Sequence, residues 1–350
     1  MKIVFRVDSS IHIGLGHLMR CIVLANEYRK GGHDIFFICR ELEGNFIPII
    51  NFPVIKLPRN SENKISIEHI NNIKINQEID AEQTACSIPP KTDILIIDNY
   101  GFDEVWHKKL RNHTKKIVVI DDLADRNFEC DILINQNYGV KNIDYQNIIS
   151  KECRLLLGLE YALLRPEFKK LRANSIERRR EVVEVKNILI TSGGSDIKNI
   201  TLGILRQLDD SFNIAVILGT NSPHNQEVKL FAHNKDNINV FINPKNTAEL
   251  MLNADLCIGS SGSTNWERLC MGLPSIVFTV AENQTKVTKM LDKNGLVKHI
   301  GFINDNASIP LIREEIQNIS SLPEWAKKCF NSCNCSGVEK VVEITEKLMD

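Results

Sequence analysis

Along most of the chain, short apolar runs alternate with amphipathic stretches. Residues 3–7 form a run of strand length, and Leu18, Cys21, Ile22 and Ala25 then fall at i, i+3, i+4 and i+7, the stripe of a half-buried helix. Gly31-Gly32 ends that helix, and residues 35–39 read as the next strand. Further strands are expected at 94–97, 117–120 and 132–134. This β-then-α order predicts a doubly wound parallel sheet. The stretch 59–93 is polar, with Ile65, Ile70 and Ile73 suggesting a short helix or two. Charge takes over around 171–185, and the pattern then restarts with strands at 188–190, 214–218, 254–258 and 276–278. The chain therefore reads as two similar α/β halves. An N-terminal domain covers 1–175 and a C-terminal domain 176–350, with the last helix free to pack back on the first. Two such open sheets are expected to leave a cleft at the carboxyl ends of their strands, where doubly wound domains bind ligands.

Composition narrows the class of protein. A chain of 350 residues suits two ordinary cores, and 43% hydrophobic with 25% charged residues is the balance of a soluble globular protein. A formal net charge of −1 gives no basic stripe, so no nucleic-acid partner is expected. The run Glu177-Arg178-Arg179-Arg180-Glu181 reads as a solvated linker or helix face. Met1-Lys2 leads straight into a strand-like run, and no apolar stretch has the length of a bilayer span. Neither a secretory leader nor a membrane partner is expected, and the location read from the sequence is cytoplasmic. Among the ten cysteines, Cys21, Cys39, Cys257 and Cys270 sit in apolar surroundings and read as reduced core residues. Cys329, Cys333 and Cys335 cluster without a second ligand pair at zinc-site spacing, so no metal is expected there.

Three loops carry the candidate chemistry. The first runs from Asp8 to His17 and holds Gly14-Leu15-Gly16-His17 at a strand-to-helix turn. Glycines permit tight turns, and the free N–H groups of a helix start favour an anion. A dinucleotide fingerprint would place a third glycine where Met19 stands, so a nicotinamide cofactor is not the reading. At that position the helix dipole favours the neutral imidazole that a general base needs, with Asp8 or another carboxylate to orient the ring. A local role at the helix start is the competing reading for His17. His12, His33, His107 and His224 have no such setting and default to surface or structural roles.

The second loop, Ser192-Gly193-Gly194-Ser195-Asp196, also precedes a helix and admits the same anion argument, or is a plain turn. The third, Gly259-Ser260-Ser261-Gly262-Ser263-Thr264, ends a strand and is followed by Asn265-Trp266-Glu267. A diphosphate suits its amides and hydroxyls. Glu267, one turn in, suits two ribose hydroxyls or serves as an ordinary first-turn acid. Trp266, Leu269 and Cys270 are expected to face inward. No two aspartates are separated by one residue, so the metal-holding element of many sugar transferases is missing and a metal-independent reaction is expected.

Together these loops resemble the UDP-sugar hydrolases of pseudaminic acid biosynthesis. The resemblance spans residues 5–291. It rests on Phe5-Arg6-Val7-Asp8-Ser9-Ser10, Gly14-Leu15-Gly16-His17-Leu18-Met19-Arg20, Ile96-Ile97-Asp98-Asn99-Tyr100-Gly101, Tyr161-Ala162-Leu163-Leu164-Arg165-Pro166-Glu167-Phe168, Gly193-Gly194-Ser195-Asp196-Ile197-Lys198-Asn199 and Glu282-Asn283-Gln284. It implies a GT-B fold of two Rossmann-like domains and release of UDP from UDP-2,4-diacetamido-2,4,6-trideoxy-β-L-altropyranose, with no cofactor. Water attack at the anomeric carbon would follow, with His17 as base and Tyr100 and Asn283 assisting. The substrate-binding set it implies is Asp8, Gly14, Gly16, Gly193, Gly194, Asn199, Ser261, Gly262, Ser263, Glu267 and Gln284. Other enzymes of the same pathway are conceivable partners. A metal-independent inverting glycosyltransferase on the same fold is the alternative.

Overall fold

The computed structural model describes residues 1–59, 76–220, 222–305 and 309–349. The helix expected around Ile65, Ile70 and Ile73 lies outside them. Two compact units divide the chain: Met1–Leu163 with the segment from Ser336 onward, and Leu164–Cys335.

The first unit is built on a parallel sheet of β1 (Lys2–Val7), β2 (Asp34–Arg40), β3 (Val54–Leu57), β4 (Thr92–Asp98), β5 (Thr114–Ile120), β6 (Ile132–Asn135) and β7 (Arg154–Leu157), in the order β3-β2-β1-β4-β5-β6-β7. β1 and β4 pair side by side, with Val7 opposite Asp98, so strand order reverses between them. Their carboxyl ends form the switch point where open α/β sheets bind ligands. The inner strands are buried on both faces, which is why they read as near-continuous apolar runs. The helix Gly337–Lys347 belongs to this unit. Val338, Val341 and Val342 join its core, and Thr345 meets the Tyr28 hydroxyl at 2.5 Å.

The second unit holds β8 (Asn187–Thr191), β9 (Asn213–Leu218), β10 (Ile238–Ile242), β11 (Leu256–Ser260), β12 (Ser275–Thr279) and β13 (Lys298–Phe302), ordered β10-β9-β8-β11-β12-β13. Its switch point lies between β8 and β11, the two strands that feed the second and third loops. β11 begins later than the apolar pattern suggested. Asp255 turns its carboxylate onto Lys186 N at 2.9 Å and Asn187 N at 2.7 Å instead of extending the strand.

Two expectations are corrected here. Residues 177–181 take the helix-face alternative rather than the linker, since the helix Pro166–Arg180 runs through all but the last of them, but Arg179 is buried rather than solvated. The Arg179 guanidinium donates to the carbonyls of Met271 at 2.9 Å, Ala254 at 2.7 Å and Met251 at 2.6 Å. These carbonyls end the helices Thr247–Asn253 and Thr264–Cys270, where unpaired C=O groups need donors. Burial, with neighbouring Arg178 adding to it, pushes Arg179 down to about 9. The second correction concerns Cys270, which is not a free core thiol but is joined to Cys335 by a disulfide across a Cα separation of 6.1 Å. The chain brings Cys335 back against the helix that Cys270 ends.

Replacing Arg179 by Met leaves three buried carbonyls without their donor. The expected loss is about 3 kcal/mol of stability for the second unit, measured by urea unfolding. A loss below about 1 kcal/mol would show that the carbonyls find other partners.

Candidate active site

After Val7 the chain turns tightly. Gly14 N donates to Ser10 O at 2.8 Å, and Ser10 Oγ accepts from His12 N at 3.2 Å and Ile13 N at 3.0 Å. Gly14 sits at φ +83°, the left-handed region that favours glycine. The helix Gly16–Lys30 then starts, with His17 as its second residue.

His17 Nδ1 lies 2.6 Å from Asp98 Oδ1 at the end of β4. Arg20, one turn further along the same helix, grips that carboxylate from Nε at 2.6 Å and Nη2 at 2.7 Å. Burial pushes the Asp98 carboxyl upward, but Arg20 and His17 outweigh it and hold the group well below the usual carboxylate range. An ionised carboxylate only accepts, so Nδ1 donates to it and the neutral ring keeps its lone pair on Nε2. Arg20 Nη2 also lies 3.2 Å from Nδ1. That nitrogen cannot both carry a proton and accept one, so the shorter contact sets the tautomer. His17 keeps 15% side-chain exposure, enough for a small reactant to reach it, whereas Asp98 has none.

The network continues outward. Arg20 Nη1 donates to Asp122 at 2.7 Å, and the Tyr100 hydroxyl donates to the same oxygen at 2.6 Å. Burial and then Asp122 raise the Tyr100 phenol well above its ordinary value. The Tyr100 ring meets the imidazole edge-on, with centroids 4.6 Å apart. The structure thus places His17 and Tyr100 side by side, with Asp98, Arg20 and Asp122 around them.

Asp8 is not the carboxylate that orients His17. It is buried and accepts from Arg6 Nη1 at 2.6 Å, Arg40 N at 2.7 Å and Asn99 Nδ2 at 3.1 Å. Asp80 completes this cluster, accepting from Arg6 Nη2 at 2.6 Å, Arg40 Nη2 at 2.5 Å and Trp106 Nε1 at 3.1 Å. The first loop therefore stands on a buried floor of paired charges. His107 is also buried. Burial pushes it down to about 3, and its Nδ1 accepts from Glu129 N at 3.3 Å, a structural role.

In the second unit, the helix Ile200–Leu205 does not offer its first amides to a ligand. Asp196 Oδ1 and Oδ2 take Ile200 N at 2.9 Å and Thr201 N at 3.1 Å. Burial raises the Asp196 carboxyl. Asn199, at φ +52°, donates to Glu227 at 2.7 Å, and its Oδ1 is buried without a partner. That leaves the Gly193-Gly194 backbone as the loop's candidate for an anion. That backbone packs on Gly219, where a Cβ would stand 1.8 Å from Gly194 O.

The third loop adjoins the second, since a Cβ on Gly193 would lie 3.2 Å from Ser260 Oγ. Trp266, Leu269 and Cys270 face inward as expected. Ser261 also turns inward, accepting from Asn265 Nδ2 at 2.7 Å and meeting Thr288 Oγ1 at 2.5 Å. Gly262 remains open, with Gln284 Nε2 3.9 Å from its Cβ position, while Ser263 and Asn283 are exposed. Glu267 is approached by Arg165 Nη2 at 3.2 Å, yet burial prevails and raises its carboxyl. Among the described residues, no group of three or more His, Cys, Asp or Glu side chains is arranged to hold a metal ion.

Gly219→Ala should force the Gly193-Gly194 turn to move and destabilise the second unit by about 2 kcal/mol in denaturant unfolding. Gly194→Ala, whose Cβ meets nothing within 4 Å, should change stability by less than about 0.5 kcal/mol. Equal effects of the two would refute this packing.

The model of the glycosyltransferase family 28 C-terminal domain matches residues 187–300. The chain is 32% identical to the UDP-2,4-diacetamido-2,4,6-trideoxy-beta-L-altropyranose hydrolase of Campylobacter jejuni, over 84% of this chain and 97% of that protein. It is 24% identical to a Helicobacter pylori protein named as pseudaminic acid cytidylyltransferase and the same hydrolase, over 67% of this chain and 42% of that one. Among solved structures, MurG of Acinetobacter baumannii shares the fold at 14% identity and a TM-score of 0.64, covering 99% of this chain and all of that one. A buried carboxylate–histidine pair at one switch point, glycine loops at the other and the match to the Campylobacter protein along nearly its whole length lead to one conclusion: the chain has the GT-B fold and belongs to the UDP-2,4-diacetamido-2,4,6-trideoxy-beta-L-altropyranose hydrolase family.

Proposed function

We propose that the protein releases UDP from UDP-2,4-diacetamido-2,4,6-trideoxy-β-L-altropyranose by His17-activated attack of water at the anomeric carbon. The observation that carries this reading is the Asp98–His17 pair. Asp98 fixes the tautomer that leaves Nε2 ready to accept a proton, and stabilises the imidazolium that forms. Water gives a proton to Nε2 as its oxygen bonds to the anomeric carbon. The bond from that carbon to the phosphate oxygen breaks, and UDP leaves with the electron pair. Direct displacement inverts the anomeric centre. Tyr100, tethered through Asp122, holds the imidazole edge-on.

The second unit supplies the nucleotide site. The Gly193-Gly194 amides and the Gly262-Ser263 turn receive the diphosphate, and Glu267 receives the ribose hydroxyls. Gln284, in the first turn of the helix Glu282–Lys293, brings its side-chain amide near Gly262 and helps receive the phosphates, while Asn283, its neighbour in the chain, assists His17. Donors preset around the leaving diphosphate stabilise its charge, so no metal is required and turnover persists in excess chelator. The product sugar then serves pseudaminic acid synthesis in the cytoplasm, for flagellin or capsule glycosylation. No helix among the described residues is long and apolar enough to cross a membrane. A glycosyltransferase reading is favoured by the family 28 domain match and by the MurG-like fold. It predicts turnover that depends on an acceptor, whereas the hydrolase works with water alone.

His17→Ala and Asp98→Asn should both keep UDP binding yet turn over at least ~100-fold more slowly, as removal of a general base or of the group that sets its tautomer implies. Near-normal turnover of His17→Ala would remove the base from its role. In oxygen-18 water the label should appear in the sugar. Label in UDP would mean attack at phosphorus and would end the proposed mechanism.

A further inference from the structure

The helix Thr264–Cys270 carries, one residue after Glu267, a guanidinium that the reaction above does not use. Arg268 is 1% exposed. Among the described residues no carboxylate lies within ion-pair distance of it: Glu267 feels its charge through space but pairs with Arg165 instead, and the Arg268 Nε is buried without a partner. Its remaining contacts are Ser260 O at 2.9 Å, Asn265 Oδ1 and Cys257 Sγ at 3.6 Å. Neither nearby thiol supplies a counter-charge, because burial pushes Cys257 up and Cys329 up to about 12. A buried cation with no directly paired anion is costly, and such groups are ordinarily paired.

The position of this charge is specific. Arg268 Nη1 lies 2.9 Å from where a Cβ of Gly259 would stand, so the guanidinium sits directly beneath the start of the third loop. A one-way chain of hydrogen bonds leaves it. A guanidinium only donates, so Asn265 Oδ1 must accept and its Nδ2 donates onward to Ser261 at 2.7 Å. Thr288 commits its proton to Gln284 O at 2.6 Å, so Ser261 donates to Thr288. The Ser261 hydroxyl therefore has no proton left for a phosphate, and the loop's attraction for an anion falls to its backbone and to the charge below it.

We infer that Arg268 is a positioning residue for the diphosphate. Its unpaired charge under the Gly259–Ser260 backbone attracts the phosphates, and its hydrogen-bond chain holds the loop against the first turn of the helix Glu282–Lys293. This inference rests on the reading of the third loop as the diphosphate site. The phosphates act as the missing counter-ion, separated from the guanidinium by one layer of backbone.

The test compares UDP with uridine, which lacks phosphates. Both are titrated into the full chain by calorimetry, uridine in competition with UDP. Arg268→Met and the neutral, hydrogen-bonding Arg268→Gln should weaken UDP about tenfold and uridine less than about twofold, the size expected of one partly screened charge. Arg268→Lys, which keeps the charge and loses the planar fork, should hold the UDP-to-uridine ratio within about threefold of the parent. Should Arg268→Met fail to fold, Arg268→Gln and Arg268→Lys decide the matter between them. Equal weakening of uridine and UDP, or unchanged UDP binding, would overturn the inference. Absence of UDP binding by the parent protein would instead overturn the nucleotide site itself.

Discussion

One buried negative charge organises the first unit. Asp98 ends a central strand with no solvent to stabilise it, so its ionised form exists only while donors surround it. Two of those donors, His17 and Arg20, come from the same face of one helix, three residues apart. Satisfying Asp98 therefore fixes the rotation of that helix on the sheet as well as the orientation of the imidazole. Arg20 passes the constraint to Asp122 beyond β5, and Asp122 passes it to Tyr100. The ends of β4 and β5 and the first helix are locked by a single network, which fixes where His17 Nε2 points.

The buried arginines of the two units are satisfied in different ways. In the first, Arg6, Arg20 and Arg40 each meet a buried carboxylate, and the charges cancel inside the fold. In the second, Arg179 is satisfied by carbonyls alone and Arg268 by a carbonyl, an amide and a thiol. Dipoles satisfy hydrogen bonds but leave the net charge in place. Beneath the third loop the charge left in place is therefore positive, whereas around His17 the charges cancel.

What could be read from the sequence follows from burial. The nine strands expected from apolar runs are the inner ones. The four that escaped notice, β3, β7, β10 and β13, are the edges of the two sheets. Edge strands are only partly covered: Lys56 interrupts β3 and Gly301 interrupts β13, while β7 and β10 carry three-residue apolar runs beside polar residues that did not stand out. The glycine loops were legible because tight turns demand a residue type at a fixed place. The Asp98 role was not, since it depends on a contact across 81 residues, although the aspartate closing an apolar strand two residues before Tyr100 was a usable signal. The two alternatives for the second loop could not be separated for a related reason. A helix start that binds a phosphate and one that binds its own Asp196 look alike until the side chain is placed. The pairing of Cys270 with Cys335, like the inward turn of Ser261, is likewise set by the fold and not by spacing.

The helix Gly337–Lys347 bears on how the protein is made. Gly337 has backbone atoms of Ala162 where its Cβ would stand, 2.4 Å away, so the returning chain seats against the residues at which the first unit was left. The second unit is one continuous stretch, complete once Cys335 has emerged from the ribosome. The first unit begins earlier but finishes later, its core lacking Val338, Val341 and Val342 until the final helix arrives. During synthesis the second unit can therefore close first, while the sheet that carries His17 waits, partly uncovered, for residues made more than 300 positions after it.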